Sequence, residues 1–399
     1  MKPNVIIILN RLVIGGQAID TIPLAYYLQN DFNILILYGE KEVDEIEASF
    51  LLKQYPNLNT KKITHLRRTI NPLVDLMAFV ALVKQLKKHK TVVVHTHGSK
   101  SGFLGRLAAW LLHVPVIVHT FHGHLFHSYF NKFTTRLIRF TERRLANISS
   151  AIVALSNHQA EELTTQYKIV SSKKLHIIQL GVDEKNLQLN VEENRQQFRS
   201  KFHLTDTDVA IGIIGRLVPI KNHLLFLQIA ENILATGVKN IYFFIVGDGD
   251  NKKELTSYLN MCKIVFSNNS ADQTSAKIIF TSWIEDMTSV YHGLDMVVLT
   301  SLNEGTPLSI IEAQFCGKPI IASNVGGVKD TFANKVSGFL IDGHTVEPYV
   351  EKIQLLCNNI EIRNKMSSEA IKFATTTFHK QQEVKAVKQL YLQCLSSAQ

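Results

Sequence analysis

The sequence has few cysteines and no long apolar run, and both absences exclude classes of protein. Its four cysteines all lie in the second half and none belongs to a C-x-x-C pair, which argues against a disulfide framework and a zinc knuckle. Apolar runs such as residues 5–9 are far shorter than the roughly 20 residues of a membrane-spanning helix, and too short for a secretory signal. We therefore expect a cytoplasmic chain.

Acidic residues are scarce in the first half of the chain. Residues 1–190 hold 23 Lys and Arg against 13 Asp and Glu, whereas residues 191–399 hold 20 against 21, so the first half supplies the whole net charge of +9. Much of this excess lies in residues 82–90 and 129–146. Two interpretations stay open, a solvated helix face and a contact with an anionic membrane surface or an acidic acceptor. No recognition motif for nucleic acid accompanies the charge.

Short β-branched runs alternate with amphipathic stretches along most of the chain. "NVIIIL" precedes "GGQAIDTIPLAYYL", "TVVVHTH" precedes "SGFLGRLAAWLLH", and the same rhythm resumes with "VAIGIIG" and "NIYFFIVGDGD". Continuous apolar strands that alternate with helices indicate parallel sheets covered on both faces. A chain of 399 residues also exceeds what one hydrophobic core usually supports. We predict an α/β protein of two doubly wound, Rossmann-like domains that face each other across a cleft.

A polar segment between the two strand–helix series predicts where these domains divide. Residues 183–208 read "DEKNLQLNVEENRQQFRSKFHLTDTD", which we interpret as a linker. We assign residues 1–190 to the N-terminal domain and 191–375 to the C-terminal domain. Residues 376–399 are predicted to form a C-terminal helix that packs back toward the N-terminal domain.

Two strand-to-helix loops carry residue types that suit a phosphorylated ligand. Gly15 and Gly16 come directly before a helix, where the backbone can approach an anion and the helix N-terminus offers unpaired N–H groups. The loop "GRLVPIKN" (215–222) places Arg216 and Lys221 after a buried strand, so both cations could reach a diphosphate. A plain turn and a pair of surface charges are the alternatives.

The segment "SLNEGTPLSIIEAQFCGKPIIASNVGG" (301–327) combines a helix N-terminus with two carboxylates. Glu304 precedes the Gly-Thr-Pro that opens a helix, and Pro307 suits its first turn. Glu312 lies four residues beyond Leu308 and so projects from the same helix face. Such a site suits a ligand with both phosphates and hydroxyls, because the amides take negative charge and the carboxylates accept hydrogen bonds from hydroxyls. Either Glu alone would be an ordinary helix or surface residue.

Together these motifs resemble family 4 of the glycosyltransferases, which have the GT-B fold. That family carries a Glu, seven residues and a second Glu in its second domain, and Glu304 and Glu312 have this spacing. The Gly-Gly loop, "HTHGSKSGFLGRLAA", "HTFHGH", "GRLVPIKN", "VGDGD", "FTSWIEDM", "SLNEGTPLSIIEA", "GKPIIASNVGG" and "SGFLID" occur in the family's order over nearly the whole chain. The resemblance implies a retaining, metal-independent hexosyltransferase. Its donor would be a nucleotide sugar, UDP-linked, and its acceptor a lipid-linked or polysaccharide molecule in bacterial cell-surface glycan synthesis.

The resemblance also implies roles for individual residues, with the acceptor held by the N-terminal domain and the donor by the C-terminal one. Arg216 and Lys221 would hold the diphosphate, Glu304 the donor sugar, and Glu312 the ribose. His122 in "HTFHGH" would contact the donor sugar, and no side chain need act as general base, because the donor phosphate helps to remove the acceptor proton. The implied catalytic residues are His122, Glu304, Arg216 and Lys221. The implied donor-binding residues are Gly15, Gly16, Gly215, Arg216, Lys221, Trp283, Ile284, Glu304, Gly305, Thr306, Pro307, Leu308 and Glu312.

Two other functions compete with this interpretation. A nucleotide-sugar 2-epimerase shares the fold and the ligand class, but the order of "GRLVPIKN" and "EGTPLSIIE" favours the transferase. A metal-dependent protein could use His95, His97, His119, His122 and His124. However, residues 95–130 contain no Asp or Glu, and zinc sites usually have supporting carboxylates.

The carboxylate pairs "DTD" (206–208) and "DGD" (248–250) are interpreted as turns, because Asp-Gly and Asp-Thr pairs are common there. We therefore expect no metal and no cofactor beyond the nucleotide sugar as co-substrate. The expected partners are the donor, a glycan or lipid-linked acceptor and an anionic membrane surface, with no nucleic acid. The expected location is the cytoplasm, peripherally at the inner face of the cytoplasmic membrane.

Overall fold

The chain divides into two units, and each is built on its own seven-stranded parallel sheet. A computed structural model describes residues 2–43, 45–123, 132–185, 187–268 and 276–398. The first unit comprises Met1–Val182 and Lys380–Gln399, and the second comprises Asp183–His379. In the described part of the chain, no helix is both long and apolar enough to cross a membrane.

The described strands are β1 Asn4–Leu9, β2 Asn33–Gly39, β3 Asn59–Ile63, β4 Val93–His97, β5 Val116–Phe121, β6 Ala151–Ala154, β7 Leu175–Ile177, β8 Val209–Ile214, β9 Ile241–Val246, β10 Phe266–Asn268, β11 Ile278–Ser282, β12 Met296–Leu299, β13 Ile320–Ser323 and β14 Gly338–Ile341. The α-helices are α1 Gly16–Leu28, α2 Ser49–Gln54, α3 Pro72–Lys88, α4 Ser99–Leu111, α5 Lys132–Ile148, α6 Asn157–Glu161, α7 Val191–Lys201, α8 His223–Leu234, α9 Lys252–Met261, α10 Met287–Gly293, α11 Leu308–Phe315, α12 Val346–Asn358, α13 Ile360–Thr377 and α14 Lys380–Ser397.

Strand β1 shows why the first sheet is covered on both faces. Val5, Ile7 and Leu9 pack in one buried cluster with residues of α1 and α14, whereas Ile6 and Ile8 pack in another with residues of α3 and α4. Successive side chains of a strand point to opposite faces, so an unbroken apolar run must be buried on both sides. The apolar runs therefore predicted this architecture correctly.

Both sheets have a point at which the strand order reverses. The first sheet has the order β3-β2-β1-β4-β5-β6-β7, and the second has β10-β11-β9-β8-β12-β13-β14. The reversal lies between β1 and β4 in the first sheet and between β8 and β12 in the second. Ligands of doubly wound sheets bind outside the carboxyl ends of the strands at such a point. We therefore expect ligand-binding residues in the loops that follow β1, β4, β8 and β12.

The C-terminal helix α14 belongs to the first unit. Val387, Leu390 and Tyr391 are buried in the same apolar cluster as the residues of α1. At the start of the helix, the buried ammonium group of Lys380 donates to Asp20 Oδ1 at 2.9 Å and to Glu383 Oε2 at 2.6 Å. The last helix therefore completes one face of the first sheet.

The linker predicted over 183–208 is wrong over residues 191–201, because α7 occupies Val191–Lys201. Phe198 and Phe202 lie one turn apart and their rings contact Phe244 of β9, with centroid distances of 5.0 and 5.1 Å. The Arg199 guanidinium donates to the carboxylate of Asp295 at 3.3 Å. The charged surface of this helix concealed Phe198 and Phe202, the residue that follows the helix, although both are buried. The second unit accordingly begins at Asp183, eight residues before the predicted boundary.

Two further stretches of the chain fall partly or wholly outside the described residues. In the polar stretch "SNNSADQTS" (267–275), the first two residues end strand β10. The rest of that stretch, and His124 and His127, lie outside the described ranges.

Candidate active site

In the second unit, the loops that follow β8 and β12 are tied together at the reversal point of the sheet. The hydroxyl of Thr300 donates to the carbonyl oxygens of Lys221 and Asn222 at 3.2 and 2.9 Å. The backbone N–H of Leu302 donates to the carbonyl oxygen of Ile220 at 2.8 Å. These bonds hold the two loops in one arrangement, although about eighty residues separate them in the sequence.

This arrangement brings Lys221 and Glu304 into direct contact. Lys221 Nζ lies 2.5 Å from Glu304 Oε1, and the side chains are 22% and 10% exposed. Ser301 Oγ donates to the same carboxylate oxygen at 2.6 Å. Arg216, in the same loop as Lys221, has no side-chain hydrogen bond or ion pair with any of the described residues. The site therefore holds one paired cation and one cation whose donors remain available to an anion.

Two glycines of "NVGG" allow the chain to pass close to Glu304. The backbone N–H of Gly327 donates to the carbonyl oxygen of Glu304 at 3.1 Å. Gly326 has a φ of +51°, and a Cβ atom there would lie 2.0 Å from that same oxygen. Any other residue would both strain the backbone and collide with it. This close approach fixes the main chain from which the Glu304 carboxylate projects.

Helix α11 starts slightly later than the sequence predicted. Pro307 is the N-cap residue rather than a member of the first turn, and the helix begins at Leu308. Gly305 and Thr306 form the half-buried approach to this cap. The shift of one residue changes little, because the N–H groups of the first turn still face the end of the sheet from which the loop comes.

Glu312 lies one helical turn into α11 and is held by a tyrosine that the sequence analysis did not identify. The buried hydroxyl of Tyr291 in α10 donates to Glu312 Oε2 at 2.6 Å. Burial raises the pKa of Glu312 to about 7, although this hydrogen bond acts in the opposite direction. The carboxyl group is therefore poised between its protonated and ionised forms near neutral pH, with Oε1 left for a ligand.

Trp283 and Ile284, the residues assigned to the base, follow an irregular end of β11. Ser282 has a φ of +54° and forms a bridge with Gly247. Its hydroxyl donates to Asp248 Oδ2 at 2.7 Å, and the N–H of Gly249 donates to Asp248 Oδ1 at 2.9 Å. The first carboxylate of "DGD" thus fixes this loop, as expected for a turn. Trp283 and Ile284 are both half-buried.

In the first unit, His122 follows β5 and contacts the histidine at the end of β4. His97 Nδ1 lies 2.8 Å from His122 Nε2, and Thr21 Oγ1 lies 3.4 Å from the same His97 nitrogen. Burial lowers the pKa of His122, the nearby Asp20 raises it and Lys380 lowers it, with a net decrease. His122 is therefore a neutral imidazole at neutral pH.

Two other strand histidines of this unit, His95 and His119, are hydrogen-bonded to hydroxyl groups. His95 is hydrogen-bonded to Tyr391 Oη at 2.6 Å and to Thr120 Oγ1 at 2.7 Å, and burial lowers its pKa to about 3. His119 Nδ1 is bonded to Thr96 Oγ1 at 2.8 Å. The described residues contain no group of three or more His, Cys, Asp or Glu that could hold a metal ion. Nothing in the described structure favours the metal-dependent alternative.

Gly15 and Gly16 stand where α1 begins, after the loop that follows β1. Gly15 is extended, with a φ of 163°, and a Cβ atom at either glycine would meet nothing within 4 Å. Packing inside the protein therefore does not require glycine at these two positions. The helix N-terminus is left accessible to an external group.

Comparisons with known proteins decide the family. The profile "Glycosyltransferase Family 4" matches residues 26–186, and "Glycosyl transferases group 1" matches residues 194–373. The Escherichia coli protein UDP-Gal:alpha-D-GlcNAc-diphosphoundecaprenol alpha-1,3-galactosyltransferase is 30% identical over 327 residues, which cover 82% of this chain and 81% of that protein. The chain belongs to glycosyltransferase family 4. It is therefore a glycosyltransferase, and the epimerase alternative is not supported.

Other relatives agree with this assignment. The capsular polysaccharide biosynthesis glycosyltransferase CapM of Staphylococcus aureus is 22% identical over 83% of this family 4 chain and 84% of its own. Anabaena Alr3699/HepE in complex with UDP-glucose has a TM-score of 0.78 at 19% identity, covering 98% and 99% of the two chains. Sucrose-phosphate synthase from Thermosynechococcus elongatus has a TM-score of 0.80 at 16% identity, with 100% of both chains covered. These structures show that the glycosyltransferase has the GT-B fold.

Three residues that shape the candidate site were not singled out from the sequence. Ser301 stands three residues before Glu304, and this spacing is a usable signal. Gly326 lies in the motif "NVGG", but only the fold shows that its backbone passes close to Glu304. No sequence signal identifies Tyr291, because its contact with Glu312 depends on the packing of α10 against α11.

Proposed function

We propose that this enzyme moves a hexose from a UDP-linked donor to a lipid-linked or polysaccharide acceptor in bacterial cell-surface glycan synthesis, with retention of anomeric configuration. The observation that supports the donor most strongly is the Lys221–Glu304 pair beside the unpaired Arg216 at the reversal point of the second sheet. The names of two relatives support the choice of substrates. One acts with UDP-Gal and a diphosphoundecaprenol-linked sugar, and the other serves capsular polysaccharide biosynthesis.

The proposed roles in the second unit follow from charge and position. Arg216 and Lys221 stabilise the negative charge that develops on the leaving diphosphate as the glycosidic bond breaks. Glu304 accepts hydrogen bonds from donor-sugar hydroxyls, and Glu312 accepts them from the ribose. An incoming diphosphate competes with Glu304 for the ammonium group of Lys221. Binding would thereby free a carboxylate oxygen for the sugar in the same step.

The amide groups at the start of α11 and the loop before Trp283 complete the proposed donor site. N–H groups at Gly305, Thr306 and Leu308 bind phosphate or sugar oxygens, as helix N-termini commonly do. Backbone groups at Trp283 and Ile284 contact the uracil. In the first unit, His122 contacts the transferred sugar. The N–H groups at the start of α1, after Gly15 and Gly16, bind the donor sugar or the acceptor.

The proposed reaction needs no side chain as general base. The bond between the anomeric carbon and the β-phosphate oxygen breaks, and the acceptor oxygen bonds to that carbon on the same face. The acceptor proton passes to a phosphate oxygen of the departing UDP. Atoms and charge balance without a metal ion or a further reactant.

Calorimetric titration with UDP tests the donor site. We expect Arg216→Met to weaken UDP binding by about tenfold or more, because it removes a charged donor to the diphosphate. Lys239→Met is the matched control, because this exposed lysine precedes β9 and so lies at the opposite edge of the same sheet. Equal affinity in all three proteins would contradict the proposed site.

We also propose that the first unit contacts the inner face of the cytoplasmic membrane. Neighbouring helices α3, α4 and α5 of this unit expose large apolar side chains. The most exposed are Leu73, Leu76, Met77, Trp110, Leu111, Phe133, Leu137 and Phe140. The basic excess of residues 1–190 accompanies them, and apolar side chains beside cations are typical of proteins that bind anionic bilayers.

Cosedimentation with vesicles tests the membrane contact. We expect binding to vesicles of phosphatidylglycerol that weakens as salt is added, and little binding to phosphatidylcholine. Leu137→Glu should weaken binding. Met261→Glu, which likewise replaces an exposed apolar residue by glutamate but lies in the second unit, should not. Equal binding to both lipids without salt dependence would contradict the proposal.

A further inference from the structure

His97 is a buried residue bonded to the histidine that is proposed to contact the sugar. It ends β4, its side chain is almost fully buried, and its Nδ1 atom lies 2.8 Å from His122 Nε2. The other ring nitrogen, His97 Nε2, is buried and has no hydrogen-bond partner among the described residues. The bond to His122 is therefore the shortest polar contact of this ring.

The ring of His97 is held in place from several sides. The ring of His95 lies against it, with a centroid distance of 4.2 Å, and Tyr391 and Thr120 fix His95 in turn. The hydroxyl of Ser101 donates to the backbone oxygen of His97. A side chain fixed in this way can hold a neighbouring ring at a defined angle without being reoriented itself.

The surroundings of His97 also decide which nitrogen carries its proton. Burial keeps the pKa of both His97 and His122 below the ordinary value, so both rings are neutral. A proton on His97 Nε2 would bury an N–H group without an acceptor in the described structure, and orphaned buried N–H groups are rare. A proton on Nδ1 instead donates to His122 Nε2. The proton of neutral His122 must then lie on its own Nδ1.

We propose that His97 is a positioning residue that fixes the ring of His122 and keeps the His122 proton on Nδ1. His122 then offers an N–H donor, rather than an acceptor, to an oxygen of the transferred sugar. This inference rests on the proposed function for the identity of the ligand. It adds that His122 Nδ1 is the atom that donates to the sugar, and that His97 determines the protonation of this nitrogen.

Two substitutions at His97 separate the hydrogen bond from the packing of the ring. His97→Phe keeps a ring but removes both nitrogens, whereas His97→Asn keeps an amide N–H close to the position of Nδ1. With a UDP-sugar that the wild-type protein uses as donor and a GlcNAc-diphospholipid as acceptor, we expect His97→Phe to lower kcat by about tenfold or more, with a small change in KM. His97→Asn should recover most of that loss. Failure of His97→Asn to exceed His97→Phe would overturn the inference.

A double-mutant cycle tests whether His97 acts through His122. In a His122→Ala protein, adding His97→Phe should lower kcat by no more than about twofold, because the bonded partner is already absent. A further loss of about tenfold would show that His97 acts through packing, and would overturn the inference.

A spectroscopic measurement separates this inference from the proposed function. In the full chain labelled with ¹⁵N-histidine, the nitrogen shifts should show His122 protonated on Nδ1 and unprotonated on Nε2. His97→Asn should preserve this tautomer, and His97→Phe should lose it. The opposite tautomer in the wild-type protein would overturn the inference whether or not any sugar is transferred. An unaffected transfer rate in His122→Ala, with the tautomer as expected, would instead contradict the proposed role of His122.

Discussion

Replacing Lys380 by methionine should destabilise the first unit and leave the second unchanged. The ammonium group of Lys380 lies 2.9 Å from Asp20 Oδ1 and 2.6 Å from Glu383 Oε2, and the side chains involved are at most 4% exposed. Removing one partner of a buried pair costs about 3–5 kcal/mol, because a buried charge is left unpaired. Burial and the neighbouring Asp20 carboxylate raise the pKa of Glu383, so this carboxyl group can take up a proton once the lysine is removed. Only the charge of Asp20 then remains unpaired, so we expect Lys380→Met to lower the free energy of unfolding of the first unit by about 3 kcal/mol.

A second lysine of the same helix provides the matched control. Lys388 Nζ lies 2.6 Å from Asp31 Oδ1, but these side chains are 38% and 36% exposed. Exposed ion pairs contribute about 0–1 kcal/mol, because water screens them. Lys388→Met should therefore cost less than about 1 kcal/mol, although it removes an ion pair of similar geometry.

Urea denaturation can report on each unit separately, because the chain has two tryptophans and each unit contains one. In a Trp283→Phe background, the fluorescence of Trp110 follows the first unit; in a Trp110→Phe background, that of Trp283 follows the second. At a slope of about 2 kcal/mol per molar urea, Lys380→Met should lower the Trp110 midpoint by about 1.5 M. The Trp283 midpoint should not move. A cost below about 1 kcal/mol, or equal costs for the two lysines, would refute this account of the buried cluster.

Three other predictions concern the second unit. Glu304→Gln and Lys221→Met should each lower kcat by about 10²–10³, and the double variant should lose less than the product of the two, because the side chains are paired. Burial raises the pKa of Glu312 from 4.5 to about 7. The protonated carboxyl group therefore stabilises the folded second unit fully below about pH 4.5, and up to about 3 kcal/mol of the free energy of unfolding should be lost as the pH rises to 7. Urea unfolding of Glu312→Gln should lack this component. Gly326→Ala should abolish UDP binding in calorimetry, whereas Gly343→Ala, with a similar positive φ but open space around it, should not.

The fold could be predicted from the sequence largely because both sheets are buried on both faces. An apolar strand such as "VAIGII" has few other stable environments, and its alternation with helices leaves few topologies. The sequence did not indicate helix α7, because nine of its eleven residues are polar or charged. Of the other two, Val191 is the first residue of the helix, and only Phe198 is a large apolar side chain that faces inward. The amino-acid composition of such a helix reflects its many solvent-exposed residues and gives little sign of the few residues that pack against the sheet.

The site was predictable where loop position decides it, and unpredictable where side-chain packing does. The sequence predicted that the loops of Lys221 and Glu304 lie together, because parallel strands deliver their loops to one edge of a sheet, and the two side chains are in contact. The bonds of Glu312 to Tyr291 and of His122 to His97 depend on which rotamers the surrounding helices and strands permit. Neither partner stands at a spacing that sequence periodicity would single out.

The most direct test of the proposed function is transfer of a sugar to a GlcNAc-diphospholipid from UDP-galactose, UDP-glucose or UDP-N-acetylglucosamine. We expect one of these donors to give a disaccharide-lipid whose new linkage has the anomeric configuration of the donor, by NMR of the product. Arg216→Met should lower that rate by about tenfold or more, and Lys239→Met should not. No transfer from any of the three donors, or a product of inverted configuration, would contradict the account.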